Sequence, residues 1–192
     1  MWSSIKSAME YSWRGELCFI TDGTEERSYS ADNLNELEDA PGFEEPITRV
    51  CLYKGPLDSW LSRSNSSSSS KLSHMYIVCK SQSWYWSIEK HADKITLQQS
   101  RTEDTVKDYF SRVLRHGVDT GKVTKPEETS VMGGKTIKQL LEWLCLELEK
   151  TYNVVECNCQ DFAHDTFNYI SNRKRGCHSF LLPDVRGIFR VF

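Results

Sequence analysis

Apolar and polar positions along this chain follow two periods, and the change from one to the other sets out the expected elements. Residues 16–23, "ELCFITDG", form a short apolar run closed by an Asp-Gly turn signal and predict a strand. "ITRVCLY" (47–53) is a second such run, ending at "KGP". Between them, "TEERSYSADNLNELEDAPGFEEP" is polar and predicts no regular element. "HMYIVCK" (74–80) and "WYWSIEKH" (84–91), rich in aromatic and β-branched residues and separated by "SQS", predict a β-hairpin. "KITLQQS" (94–100) adds a third strand, and this group is the expected centre of a sheet.

Beyond residue 100 the period becomes helical. "TEDTVKDYFSRVLRHG" places Val106, Tyr109, Phe110, Val113 and Leu114 on one face, with acidic residues in its first turn and Gly117 as a stop. "VDTGKVTKPEETSVMGG" (118–134) reads as a Gly- and Pro-containing loop. "KTIKQLLEWLCLELEKTY" (135–152) carries the strongest stripe, Ile137, Leu140, Leu141, Leu144, Leu148 and Tyr152, which must be buried. "FLLPDVRGIFRVF" (180–192) closes the chain with one or two strand-like segments. Strands first and helices later predict an α+β fold with an antiparallel sheet packed against helices.

Composition and charge narrow the functional classes. The chain has 192 residues, 39% of them hydrophobic, and a net charge of −3, enough apolar content for a substantial core. Residues 1 to 50 hold eleven Asp and Glu against four Lys and Arg, while the rest holds sixteen against twenty. Neither part has the basic excess that would favour nucleic acid as a partner. Seven cysteines, an odd number, together with an opening "MWSSIKSAMEYSW" that lacks a signal-peptide pattern, point to free thiols in the cytoplasm. No run approaches the roughly 20 apolar residues needed to span a bilayer. Serine-rich "SRSNSSSSSKLS" divides the chain into an acidic region 1–62, a linker or loop 63–72, and a core 73–192, and the acidic region is either separate or part of the same domain.

The chemistry concentrates in "VVECNCQDFAHDTFNYI" (154–170). Asn158 is a preferred N-cap and Asp161, three residues on, can complete a capping box, so a helix should begin at Cys159. Cys159, Ala163, Phe167 and Ile170 then share one face. A sulfur at the first helical position sits among unpaired N–H groups at the positive end of the helix dipole, which favours the nucleophilic thiolate. Cys157 lies outside the helix and lacks that advantage. A thiol nucleophile needs a base, usually imidazole. His164 points away around the helix and His116 sits at a helix C-terminus, so His74, at the start of a rigid strand, is the candidate. For the group that orients it, a hairpin turning at Gln82 and Ser83 sets His91 opposite His74, and a one-residue shift sets Lys90 there. The candidates are His91 and Glu89.

"SHMYIV" followed much later by "NCQDF" resembles the circularly permuted papain-like thiol enzymes: the lecithin retinol acyltransferase-like group, its NlpC-type relatives and the PPPDE peptidases. In those families the histidine precedes the cysteine, which caps a helix packed on a small antiparallel sheet. The resemblance covers roughly residues 70 to 170. It implies a papain-like permuted core, Cys159 as nucleophile and His74 as base, with Asn158 and Phe162 at the motif's flanking positions. It implies a cysteine-dependent hydrolase or acyltransferase acting on a protein or acyl-lipid substrate, with no cofactor. Gln160 and Asp161 stand where the acyltransferase-like members commonly carry an acidic residue and a histidine.

Each of these residues has a plainer reading. Cys159 can be a small buried side chain and His74 a satisfied strand-end histidine, which together make the chain a non-catalytic interaction module. Cys157, Cys159, His164, Cys177 and His178 have the donor types for zinc in an unusual spacing. "NRKRG" reads as a solvated loop, and Trp84 with Trp86 as core.

Overall fold

The computed structural model describes residues 13–21, 26–37, 39–56, 73–107, 123–152 and 157–173. The serine-rich segment, residues 108–117 of the first expected helix, residues 118–122 of the expected loop after it, Cys177, His178 and the strand-like C-terminal segment lie outside the described residues.

Among the described residues seven strands form one sheet: β1 (Glu16–Ile20), β2 (Arg27–Ser30), β3 (Arg49–Pro56), β4 (Ser73–Lys80), β5 (Tyr85–Lys90), β6 (Ile95–Ser100) and β7 (Thr124–Ser130). Their order is β2-β1-β6-β5-β4-β3-β7. All neighbours are antiparallel except β1 and β6. Among the described residues three helices accompany the sheet, α1 (Glu103–Lys107), α2 (Ile137–Leu148) and α3 (Cys159–Ser171), with a 3-10 turn at Leu34–Leu37. The fold is therefore α+β. The acidic N-terminal residues contribute β1, β2 and β3 to the same sheet that holds β4 to β6. No helix among the described residues is long and apolar enough to cross a membrane.

Alternation along the strands gives the sheet two unlike faces. Leu17, Phe19, Val50, Leu52, Met75, Ile77, Trp86, Ile88, Ile95 and Leu97 form the main core with Ile137, Leu140, Leu141 and Leu144 of α2 and Phe162, Ala163, Phe167 and Ile170 of α3. Opposite lies a smaller cluster of Cys51, Tyr53, Tyr76, Val78 and Val106. That face also buries His74, Ser87, Glu89, Thr96, Gln98 and Ser100.

Two polar segments form strands that the apolar pattern does not predict. β7 lies within the expected loop 118–134, and "RSYS" forms β2. Both are sheet edges and mostly exposed. An edge strand with a solvated side has no need of apolar alternation, and Pro126 is tolerated there. The long helical stripe stops early: α2 ends at Leu148, so Tyr152 belongs to the connection toward α3.

Candidate active site

α3 starts where the cap chemistry requires. Asn158 is extended, and its side chain accepts from the backbone N–H groups of Gln160 at 2.7 Å and Asp161 at 3.2 Å. Asp161 returns a bond from the Asn158 N–H at 3.3 Å. Cys159 is consequently the first residue of the helix, 7% exposed.

The β4–β5 hairpin turns at Gln82 and Ser83, with Lys80 facing Tyr85 and Ile77 facing Ile88. Continued outward, this register sets His74 opposite His91. Their rings stack at 5.7 Å and 14°. Glu89, on the same face of β5, places Oε2 3.2 Å from His74 Nε2 and 3.8 Å from His91 Nε2. A carboxylate on Nε2 fixes the proton there and leaves Nδ1 as the basic nitrogen. His74 also acts on Cys159: the imidazole is shifted upward by the thiol and the thiol downward by the imidazole. The structure thus brings Cys159, His74, Glu89 and His91 into one chain of contacts, with His91 on Glu89 rather than on the thiol.

Electrostatics follow the geometry. Burial opposes the imidazolium of His74, but the hydrogen bonds to Cys159 and Glu89 outweigh it and raise its pKa to about 9. Burial likewise opposes the Cys159 thiolate. The His74 hydrogen bond and charge, with the backbone N–H groups of Met75 and of Cys159 itself, reverse this and hold the thiol below its ordinary 9.0. His91, with burial dominant, is shifted down and stays neutral near pH 7.

Tyr152 completes the surroundings of the sulfur. Burial, and then the charge of the adjoining Cys159 thiolate, raise the pKa of its hydroxyl. The sequence places Tyr152 on the apolar stripe of α2, and only the early end of that helix frees it. Its position seven residues before Cys159, in the approach to the capped cysteine, is the signal that was present.

Cys157 faces different company. The fully buried Lys90 donates from Nζ to the Lys150 carbonyl at 3.0 Å and to Cys157 Sγ at 3.3 Å. Its ammonium lies 4.6 Å from the Trp13 ring centroid and 5.8 Å from that of Phe162. Lys90 points to the opposite sheet face from Glu89, so it anchors the connection between α2 and α3 rather than the base. No group of three metal-binding side chains occurs among the described residues.

The chain matches no protein-family model, no curated protein and no solved structure. Its class is accordingly the one its own architecture defines: an α+β protein with a mostly antiparallel seven-stranded sheet.

Proposed function

We propose that this protein is a cysteine-dependent hydrolase or acyltransferase, acting on an amide or ester carbonyl, built on a permuted papain-like core. The observation that carries the reading is the buried Cys159–His74–Glu89 chain at the N-terminus of α3. Cys159 as thiolate attacks the carbonyl carbon, and its sulfur–carbon bond forms as the carbonyl electrons move to oxygen. The N–H of Cys159 and the hydroxyl of Tyr152 are the donors for that oxyanion. His74 gives its proton to the leaving amine or alkoxide as the tetrahedral adduct collapses to a thioester. It then takes a proton from water, or from an acceptor hydroxyl or amine, which attacks the thioester and releases Cys159. Glu89 holds the imidazole in the required tautomer and supports its positive charge.

The substrate is a protein or an acyl lipid, met in the cytoplasm. Iodoacetamide at pH 6 is expected to label Cys159 faster than the other six cysteines, and His74→Ala to abolish the difference, as read by peptide mass spectrometry. Equal, slow labelling of all seven thiols rules the proposal out. A non-catalytic interaction module on the same fold is the second reading, favoured by the enclosure of the sulfur, 7% exposed. It predicts that His74→Ala leaves partner binding intact.

A further inference from the structure

The sheet face that carries His74 and Glu89 holds three buried oxygens without a hydrogen-bond partner among the described residues: Ser87 Oγ, Glu89 Oε1 and Gln98 Oε1. Their residues are 0%, 0% and 4% exposed. The β5–β6 register sets Ser87 directly opposite Gln98 and Glu89 opposite Thr96. Same-face neighbours at directly opposed and diagonal positions lie within reach of one another. Buried polar atoms are almost always satisfied. Three unmet ones in one neighbourhood, one of them on the carboxylate that holds His74, share a single cause more economically than three.

Counting donors and acceptors identifies that cause. Glu89 Oε1 and Gln98 Oε1 each need a donor, while the Ser87 hydroxyl offers one proton and needs an acceptor. A direct bond from Ser87 to Glu89 leaves the Gln98 oxygen unmet. A cation meets the oxygens with only three ligands and leaves the Ser87 proton without an acceptor. A water donates one proton to Glu89 and the other to Gln98 and accepts from Ser87, which satisfies all three and matches the three bonds a buried water typically makes. We propose that Ser87, Gln98 and Glu89 bind one buried water that fixes the Glu89 carboxylate, making Ser87 and Gln98 positioning residues for His74.

The water stands on the sheet geometry alone, and only the positioning role rests on the thiol-enzyme reading. With Oε1 held, Glu89 presents Oε2 to His74 Nε2, the 3.2 Å contact. Without it, the carboxylate is free to turn Oε2 away from Nε2, and a Glu89 that no longer meets His74 no longer supports the imidazolium that keeps Cys159 ionised.

A crystal structure of the full chain at a resolution that shows ordered solvent is expected to place one peak about 2.6 to 3.2 Å from all three oxygens. Ordered side chains that bond one another directly, with no peak between them, overturn the water. The pH dependence of Cys159 alkylation tests the role. Ser87→Ala is expected to raise the midpoint by about 0.5 to 1 pH unit, Ser87→Thr to restore it, and Gln98→Met to repeat the rise. An unchanged or lowered midpoint in both Ser87→Ala and Gln98→Met overturns the positioning role. A wild-type protein with no accelerated Cys159 labelling overturns the enzyme reading, and the electron density still decides the water.

Discussion

Burial by itself makes a cysteine inert, as its neighbours in this protein illustrate. Desolvation pushes Cys51 up to about 11 and Cys18, which also hydrogen-bonds Glu26, up to about 12. Cys159 is buried too, yet it shifts the other way because His74 and two backbone N–H groups face its sulfur. The consequences for pH have opposite signs. His74 is raised, so its contribution to stability is fully present below 6.5 and lost as pH rises through about 9. Cys159 is lowered, so its contribution is present above 9.0 and lost as pH falls through the depressed value. The imidazolium–thiolate pair occupies the window between, and the two groups titrate as a unit. NMR of the His74 ring protons is expected to give a midpoint near 9, and alkylation of folded Cys159 a midpoint below 9.0, returning toward that value in urea. Coincident folded and denatured alkylation curves exclude the pair. Replacing the carboxylate in Glu89→Gln keeps the shape and removes the charge. Alkylation at pH 6 is then expected to slow about tenfold, the change in thiolate fraction for one pKa unit.

At the scale of elements, the sequence speaks clearly where local rules act and not where they are silent. Asn158 and Asp161 define the start of α3 through bonds spanning three residues, so the first helical residue was readable without the fold. Asn158→Ala is expected to cost about 1 kcal/mol of stability, the usual worth of an N-cap. Urea denaturation followed by circular dichroism measures it, and a loss indistinguishable from zero shows that tertiary contacts alone hold the helix start. Thr136 caps α2 in the same way, through Gln139. β2 and β7 carry no comparable signal. Each pairs on one side only among the described residues: β7 takes its backbone hydrogen bonds from β3, about 70 to 80 residues away, and β2 takes them from β1, the strand just before it, with no apolar alternation of its own to announce the pairing. Tyr152 fits the arithmetic of the α2 stripe, but a helical period says nothing about where the helix stops.

For the whole molecule, the sheet is what carries the site. β4 and β5 lie inside it, flanked by β3 and β6, with α3 packed across the main-core face. Trp86 anchors that face: it is fully buried, meets Phe43 edge-on at 5.1 Å and donates from Nε1 to Ser81 Oγ at 3.1 Å. Trp86→Ala is expected to destabilise the fold by about 3 to 5 kcal/mol through the cavity it leaves. The urea midpoint reads this out, and a shift below about 1 kcal/mol, within the range of surface substitutions, means the core does not depend on this ring. What the sequence determined by itself was local: the hairpin of residues 74–80 and 84–91, though not its register, the capped helix, and the separation of Cys157 from Cys159 by Asn158. Hydrogen bonds and side-chain alternation over a few residues set these features, so they survive without knowledge of the fold. Only the tertiary structure decided that His74 meets Cys159, that Glu89 rather than His91 holds the imidazole, that Tyr152 reaches the sulfur and that Lys90 turns to the other face. Those contacts join residues far apart in sequence, and they follow from strand order and from which side of the sheet each helix covers.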